Sequence, residues 1–329
     1  MKKIIYGIII VIITLFIYLM LTNQKYEYQK NIFAMDTYIN IKIYNKNKNI
    51  NNIIKEVENI YDKYDKLADA YQEYENIINI HYLNNILPLN TSIEISEELR
   101  NLITYGLNVY DETDGLVNIA LGNVTNIWKI YQSEGTNVPS ITELNEQNIN
   151  IKDIVIDENK FLKKSDIKLD FGAIAKGYVT EIVGDYLEEN NIDKYLINAG
   201  GNVKVGNHYE NQKYIIGIEN PENTNQIYKK IKVTNKSIVT SGDYQRYYEV
   251  DGVRYNHIIN PKTLFPSNYY KSVTVITENS SYADLLSTYL FLLPIEEALK
   301  YVNENDSVEA IFYVDKDNII TSKGFLNYE

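Results

Sequence analysis

The chain contains no cysteine, and this absence is the first limit on what it can do. It excludes disulfides, zinc–thiolate centres, thiol catalysis and lipid attachment through a thiol. Histidine is also scarce, with three residues in 329, so a metal centre built from several histidines is disfavoured. Any bound metal is therefore expected to be a hard cation held by oxygen ligands.

The chain has fewer basic than acidic residues, with 32 Lys and Arg and 44 Asp and Glu, which gives a net charge of −12. A nucleic-acid backbone is bound by clustered Lys and Arg, so no nucleic-acid partner is expected. A small anionic ligand is compatible with this composition, because it needs only a local positive site and a metal.

One long apolar run is present near the N-terminus, from Ile4 to Leu21, directly after Lys2 and Lys3. At about 1.5 Å per helical residue, this run approaches the ~30 Å thickness of the hydrocarbon core of a bilayer. Flanking lysines and the lack of a small-residue cleavage pattern favour an uncleaved membrane anchor with its N-terminus inside. A cleaved signal peptide is the alternative.

Both interpretations place the remainder of the chain outside the cytoplasmic membrane. The predicted organisation is an anchor or signal segment at residues 1–25, a polar tether at 26–32 and one large domain at 33–329. The apolar fraction of 45% and charged fraction of 23% are typical of a globular protein, so this domain can form its own core.

Local patterns predict a mixture of strands and helices. Residues 38–44 alternate as in a strand, and apolar residues from Ile53 to Leu67 follow helical spacing. Residues 195–205 indicate two strands around a glycine turn, and residues 271–277 indicate another strand. Because these elements do not alternate regularly as βαβ units, the predicted fold class is α+β.

A helix entrance between two glycines is the first candidate for chemistry. Asp170 precedes it, and Lys176 lies in the first turns of a helix predicted from Ala173. Exposed amides, the positive end of a helix and a lysine suit a phosphate oxygen. An ordinary loop-to-helix junction explains the same pattern equally well.

A second candidate lies near the C-terminus, where Asp284 and Thr288 are four residues apart and share one face of a predicted helix. A carboxylate and a hydroxyl in this arrangement can bind one hard cation. Ser281 and Asp284 also form an S-x-x-D capping pattern, and on local evidence capping is favoured over metal binding. His257 is the histidine with a possible functional role, as a general base or a ligand contact, and a structural histidine is the alternative.

Taken together, these stretches resemble the FAD:protein FMN transferase family, often called ApbE. The resemblance covers roughly residues 33 to 325, with seven motifs in the family's order. These motifs are MDTY (35–38), DGLVNIALGNVTNIWKI (114–130), LDFGAIAKGYVTEIV (169–183), INAGGNVKVGN (197–207), VTSGDY (239–244), NHIINPKT (256–263) and VTVITENSSYADLLSTYLF (273–291).

The resemblance implies a T-fold-like α+β architecture with mixed or antiparallel sheets and packed helices. It also implies an enzyme that binds FAD and Mg²⁺, cleaves the pyrophosphate and attaches FMN to a Thr or Ser of an exported acceptor flavoprotein, releasing AMP. A Mg²⁺-dependent FAD pyrophosphatase, which uses water as acceptor, and a non-catalytic flavin-binding membrane protein are the alternatives.

The resemblance also assigns residues. His257 and Asp170 are the candidates for the catalytic base. The metal site is assigned to Asp284, Thr288 and the carbonyl of Ala173, with Ser287 beside them. The FAD contacts are assigned to Met35, Tyr71, Asn118, Ile119, Ala120, Asp170, Lys176, His257 and Ile258.

One position departs from the family pattern, because Leu264 stands where glycine is usual. A leucine would strain a tight turn with positive φ, so the loop is expected to follow another path.

Overall fold

The computed structural model describes residues 27–44, 49–208 and 212–329. The helices are α1 (Ile50–Ala68), α2 (Ile80–Asn85), α3 (Glu97–Glu112), α4 (Gly122–Glu134), α5 (Ile141–Asn145), α6 (Ala175–Glu189), α7 (Ser280–Phe291) and α8 (Ile295–Asn303), with 3₁₀ turns at Ile151–Asp153 and Phe325–Tyr328. The strands are β1 (Tyr28–Ala34), β2 (Thr37–Ile43), β3 (Ile93–Glu94), β4 (Ile154–Asp157), β5 (Lys160–Lys163), β6 (Tyr195–Ala199), β7 (Asn202–Val205), β8 (Tyr214–Asn220), β9 (Asn223–Val233), β10 (Lys236–Gly242), β11 (Tyr247–Val250), β12 (Val253–Asn256), β13 (Ser272–Thr277), β14 (Glu309–Asp315) and β15 (Asn318–Thr321).

An eight-stranded sheet with the order β1-β2-β6-β7-β10-β13-β14-β15 forms the centre of the fold. Each pair of neighbouring strands in it is antiparallel. Smaller sheets combine β3, β5 and β4, β8 with β9, and β11 with β12. This arrangement confirms the predicted α+β class.

The middle of the large sheet is covered on both faces. Helices α6 and α7 pack together on one face, and α7 also contacts β10 and β13. On the other face, apolar residues of the β8–β9 hairpin pack against β7 and β10. All six residues of β13 are therefore buried, including its polar Thr274, whose hydroxyl lies 2.8 Å from that of Thr240 on β10.

The sequence-based boundaries need two corrections near the N-terminus and at α7. Residues 28–32, predicted to be part of a tether, belong to β1, which pairs with β2. Helix α7 begins at Ser280, and its N-cap is Asn279, whose side chain accepts a hydrogen bond from the amide of Tyr282. The predicted anchor at residues 1–25 lies outside the described residues. None of the helices in the described ranges is long and apolar enough to cross a membrane.

Candidate active site

The contact between the first turn of α6 and the first turns of α7 builds the centre of the site. Asp284 is 5% exposed, and its Oδ2 accepts a hydrogen bond of 2.7 Å from the amide of Gly177. This approach depends on glycine, because a Cβ at position 177 would lie 2.3 Å from Asp284 Cβ and 2.4 Å from the Ser280 carbonyl oxygen. Two helices distant in sequence thus meet at one carboxylate.

The Ala173 carbonyl lies just before this helix. Helix α6 begins at Ala175, so residue 173 is outside its hydrogen-bond ladder, and among the described residues no backbone amide bonds the Ala173 carbonyl. The Gly177 amide is one of the first amides of α6, which have no partner within the helix, and Asp284 supplies that partner. The entrance of α6 therefore leaves the Ala173 carbonyl open and engages the Asp284 carboxylate.

Hydroxyl groups continue the site along α7. Ser287 Oγ donates to the Asp284 carbonyl oxygen at 2.9 Å and lies 2.8 Å from Ser241 Oγ on β10. Ser241 Oγ is also 3.4 Å from Thr288 Oγ1. The structure therefore links Ser287 and Thr288 through Ser241, a residue that was not among the sequence-based candidates.

The local preference for Asp284 as a helix cap is wrong, because Asn279 caps α7 and Asp284 lies one turn further on. Burial raises the pKa of the Asp284 carboxyl, although Lys176, the Gly177 amide and the Asn202 amide act in the opposite direction. A buried carboxylate with carbonyl and hydroxyl oxygens around it is the donor set that Mg²⁺ prefers.

Asp170 occupies a second polar centre, immediately before α6. Its Oδ1 accepts from the amide of Gly172 at 2.8 Å, and its Oδ2 accepts from the Thr125 hydroxyl at 2.8 Å. Lys129 Nζ lies 3.7 Å from the same Oδ2. Burial acts to raise the pKa of Asp170, but Lys129, the Gly172 amide and the Thr125 hydroxyl together hold it below the ordinary value.

Tyr71 joins this centre through Lys129. The Lys129 ammonium hydrogen-bonds the Tyr71 hydroxyl, and it also lies 4.8 Å from the centre of the tyrosine ring. The Tyr71 ring is exposed, and the amide of this residue is fixed by Asp69 Oδ1 at 2.7 Å. An exposed aromatic ring beside a fixed cation is suited to bind a planar ligand.

Met35 lies in the two-residue turn between β1 and β2. Both turn residues, Met35 and Asp36, have positive φ, at 54° and 57°. This conformation is uncommon outside glycine and asparagine, and such strain concentrates at functional sites. The Met35 amide donates to Asp65 Oδ1 at 2.7 Å, so the end of α1 that precedes Tyr71 also fixes this turn.

His257 follows β12 and is exposed to solvent. Its Nδ1 lies 3.3 Å from the carbonyl oxygen of Arg246, and its amide donates to the same oxygen at 3.1 Å. Neighbouring protein atoms exclude part of the water around the ring, and this disfavours its charged form. Together with the positive charges of Arg246 and Lys176, this desolvation lowers the pKa of His257 to about 4. The imidazole is therefore neutral at physiological pH.

The remaining predicted contacts lie in the framework of the site. Ile119, Ala120 and Ile258 are buried in apolar clusters, so their side chains stabilise the fold. Asn118 uses its side chain to bind the Ile149 carbonyl and the Ala120 amide. The Ile119 carbonyl accepts a hydrogen bond from the Asp170 amide at 2.8 Å, so the segment 118–120 fixes the backbone of Asp170.

Leu264 retains a left-handed backbone, with φ of 61°, so the expected change of loop path is wrong. Its side chain is buried against Trp128, and its carbonyl accepts the indole N–H at 2.8 Å. A strained residue of this kind costs roughly 1–3 kcal/mol. Burial of the leucine side chain offsets that cost.

Several residues that support the site were not predicted from the sequence. Asn84 binds both backbone groups of Leu169, at 2.9 and 2.7 Å, and so holds the chain just before Asp170. Thr125 and Lys129 lie one turn apart on α4, and that spacing is the only sequence signal that they act together. Ser241 was visible within the VTSGDY motif but not distinguished from its neighbours.

The chain is similar to known proteins over most of its length. The ApbE family profile matches residues 35–312. An FAD:protein FMN transferase from Klebsiella pneumoniae (strain 342) is 28% identical over 307 residues, covering 91% of this chain and 92% of that protein. An FAD:protein FMN transferase from Haemophilus influenzae is 31% identical over 252 residues, covering 73% of this chain and 72% of that protein.

The fold is also similar to a solved structure. The crystal structure of the ApbE protein from Thermotoga maritima superposes with a TM-score of 0.82 and 26% identity, covering 92% of this chain and 99% of that one. The family match extends from the strained turn at Met35 to strand β14 and includes both polar centres. The chain therefore belongs to the ApbE family.

Proposed function

We propose that this protein is an FAD:protein FMN transferase, which moves FMN from FAD to a Thr or Ser hydroxyl of an acceptor protein and releases AMP. The observation that carries the proposal is the hydrogen bond from Gly177 to Asp284. It joins a buried carboxylate of α7 to the entrance of α6, which also carries Lys176 and follows the open carbonyl of Ala173. Membership of the ApbE family and the names of the relatives support the same function.

The cation that fits the Asp284 centre is Mg²⁺. Asp284, Thr288 and the Ala173 carbonyl would hold it, with Ser287 supporting the position of Thr288 through Ser241. When bound, Mg²⁺ neutralises negative charge on the pyrophosphate and on the leaving phosphate. Because Asp284 is the one formal negative charge among these ligands, it is expected to contribute most to affinity.

The reaction breaks the phosphoanhydride bond of FAD and forms a phosphoester bond to the acceptor. The acceptor hydroxyl oxygen forms a bond to the phosphorus on the FMN side of FAD, and the bond from that phosphorus to the bridging oxygen breaks. AMP leaves with the bridging oxygen, and the hydroxyl proton passes to a base on the protein. The chain's own residues serve this step by holding the diphosphate and by accepting the proton.

His257 is better suited than Asp170 to accept this proton. If Nδ1–H donates to the Arg246 carbonyl, the other ring nitrogen is an acceptor, and the lowered pKa keeps the ring neutral. Asp170 already accepts hydrogen bonds from Gly172 and Thr125 and lies beside Lys129, so neither of its oxygens can take the proton without losing a partner. Asp170 then serves to orient Lys129 and the entrance of α6.

The acceptor is expected to be an exported flavoprotein, and the enzyme is expected to act outside the cytoplasmic membrane. The support is the apolar run from Ile4 to Leu21 after two lysines, which fits a single N-terminal anchor. In this arrangement the anchor keeps the domain close to membrane-associated acceptors.

The function is tested by incubating the purified protein with FAD, Mg²⁺ and an exported flavoprotein of the same genome. We expect flavin fluorescence that remains with the acceptor after denaturing electrophoresis, and an FMN mass increase on one Thr or Ser. Release of FMN and AMP with an unmodified acceptor would instead identify a pyrophosphatase. Stoichiometric retention of intact FAD without AMP would identify a flavin-binding protein.

Replacing His257 with glutamine is expected to reduce kcat for FMN transfer by about 10²-fold or more, with little change in FAD affinity, because the base is lost. In the unmodified enzyme the base is neutral above its pKa of about 4, so the His257-dependent step should be lost only as the pH falls through that value. Single-turnover rates between pH 3 and pH 8, measured over a range of FAD concentrations, test both effects. Replacing His81, which lies on α2, is the matched control. A loss of FAD affinity with unchanged kcat would contradict the assignment.

A further inference from the structure

Arginine is rare in this chain, and its three copies have different surroundings. Arg100 lies 3.4 Å from Glu97, and Arg254 lies 3.5 Å from both Asp243 and Glu249. Arg246 is exposed, and in the described part of the chain no carboxylate pairs with it. In a protein with an excess of acidic residues, one arginine without a carboxylate partner calls for a physical reason.

The backbone around Arg246 lies at the site. Its carbonyl oxygen accepts the His257 amide at 3.1 Å, and the carbonyl of Tyr247 accepts from the Gln132 side chain at 3.3 Å. Gln132 follows Lys129 by three residues on α4, so the two side chains share one face of that helix. The segment 246–247 is thus fixed between His257 and the helix that carries Lys129.

Positive charges accumulate here. The positive charge of Arg246 acts to lower the pKa values of Lys129 and His257. The positive charge of Lys176 acts to lower those of His257 and Asp284. Three cations (Lys129, Lys176 and Arg246) and two carboxylates (Asp170 and Asp284) leave one net positive charge, before any metal is counted. Like charges gathered in an otherwise acidic protein are best balanced by a bound anion.

We infer that the Arg246 guanidinium binds the diphosphate of FAD, together with Lys176 and beside His257. This inference rests on the proposed function and identifies a further binding residue for its substrate. A guanidinium offers several N–H donors in a fixed plane, which suits two phosphate oxygens at once, whereas an ammonium offers a point charge. Arg246 therefore orients the phosphorus relative to His257.

The test compares ligands with and without phosphate, using the full chain purified in detergent. For Arg246→Gln we expect the dissociation constants of FAD and ADP to rise roughly tenfold or more, while that of riboflavin changes less than about twofold. Arg246→Lys should recover part of the affinity for FAD. Arg100→Gln, which removes the same charge elsewhere, should leave all three constants unchanged.

Two results would overturn the inference. Equal losses for riboflavin and FAD would mean that Arg246 supports the flavin pocket or the fold, and thermal melting of each variant separates these cases. Unchanged constants for all three ligands would make Arg246 an ordinary surface residue. If the unmodified protein binds FAD but modifies no acceptor, the proposed function is wrong. The dissociation constants still test the binding of phosphate by Arg246 in that case.

Discussion

Replacing Asp284 with asparagine is expected to reduce FMN transfer by about 10²-fold or more while leaving the fold intact. Asparagine can still accept the Gly177 amide, so the packing of α6 against α7 is retained. It removes the formal charge that would hold Mg²⁺. The rate of acceptor modification at saturating FAD and Mg²⁺ measures the loss.

Stability should change in the opposite direction. Burial raises the pKa of Asp284 in the folded protein above its value in the unfolded chain, so the ionised carboxylate destabilises the fold. This loss of stability develops as the pH rises from the pKa of the unfolded chain to that of the folded protein. The asparagine variant lacks this cost and should melt no lower than the unmodified protein at neutral pH.

Thermal melting with and without Mg²⁺ separates metal binding from activity. Mg²⁺ should raise the melting temperature of the unmodified protein by mass action and leave that of Asp284→Asn unchanged. Asp185→Asn, which removes a carboxylate elsewhere on α6, is the matched control and should keep the response to Mg²⁺. An equal Mg²⁺ response in Asp284→Asn would contradict the metal assignment.

Replacing Gly177 with alanine is expected to impair both folding and transfer. The added methyl group would lie 2.3 Å from Asp284 Cβ and 2.4 Å from the Ser280 carbonyl oxygen, so α6 and α7 must move apart. Overpacking of this kind costs roughly 1–3 kcal/mol. Urea unfolding midpoints and transfer rates measure the two effects.

Gly184, two turns further along α6, provides the control. Its added methyl group would meet Lys204 Cε at 2.4 Å, on a buried side chain that pairs with Glu181 at 3.0 Å. Gly184→Ala should therefore lose stability as well, but it leaves the contact with Asp284 in place and should retain transfer. If Gly177→Ala unfolds at the same urea concentration as the unmodified protein and transfers FMN normally, the close helix contact is not required.

The sequence predicted those parts of the structure that depend on local pattern or on motif order. Alternation identified β2, and helical spacing identified α1. The α+β class followed from the mixture of elements. The family resemblance, through the order of its motifs, assigned Asp284 to the metal site when local pattern favoured a cap, and that assignment stays a prediction.

Long-range contacts were beyond local reasoning. Lys129 and Tyr71 are 58 positions apart, and Ser241 and Ser287 are 46 positions apart, so no periodicity connects them. The cap of α7 was misassigned because Ser281 and Asn279 are both good caps, and only the folded backbone selects between them. Leu264 was misjudged because the burial that offsets its strain comes from Trp128 on a different element.

The proposed metal ligand at position 173 is a backbone group, and this determines where it is encoded in the sequence. A backbone carbonyl is present whatever side chain residue 173 carries, so alanine itself specifies nothing about metal binding. The carbonyl is open because residue 173 precedes the first residue of α6 and accepts no backbone amide among the described residues. The proposed site therefore depends on where α6 begins and on the contact between positions 177 and 284, and not on the side chain at position 173.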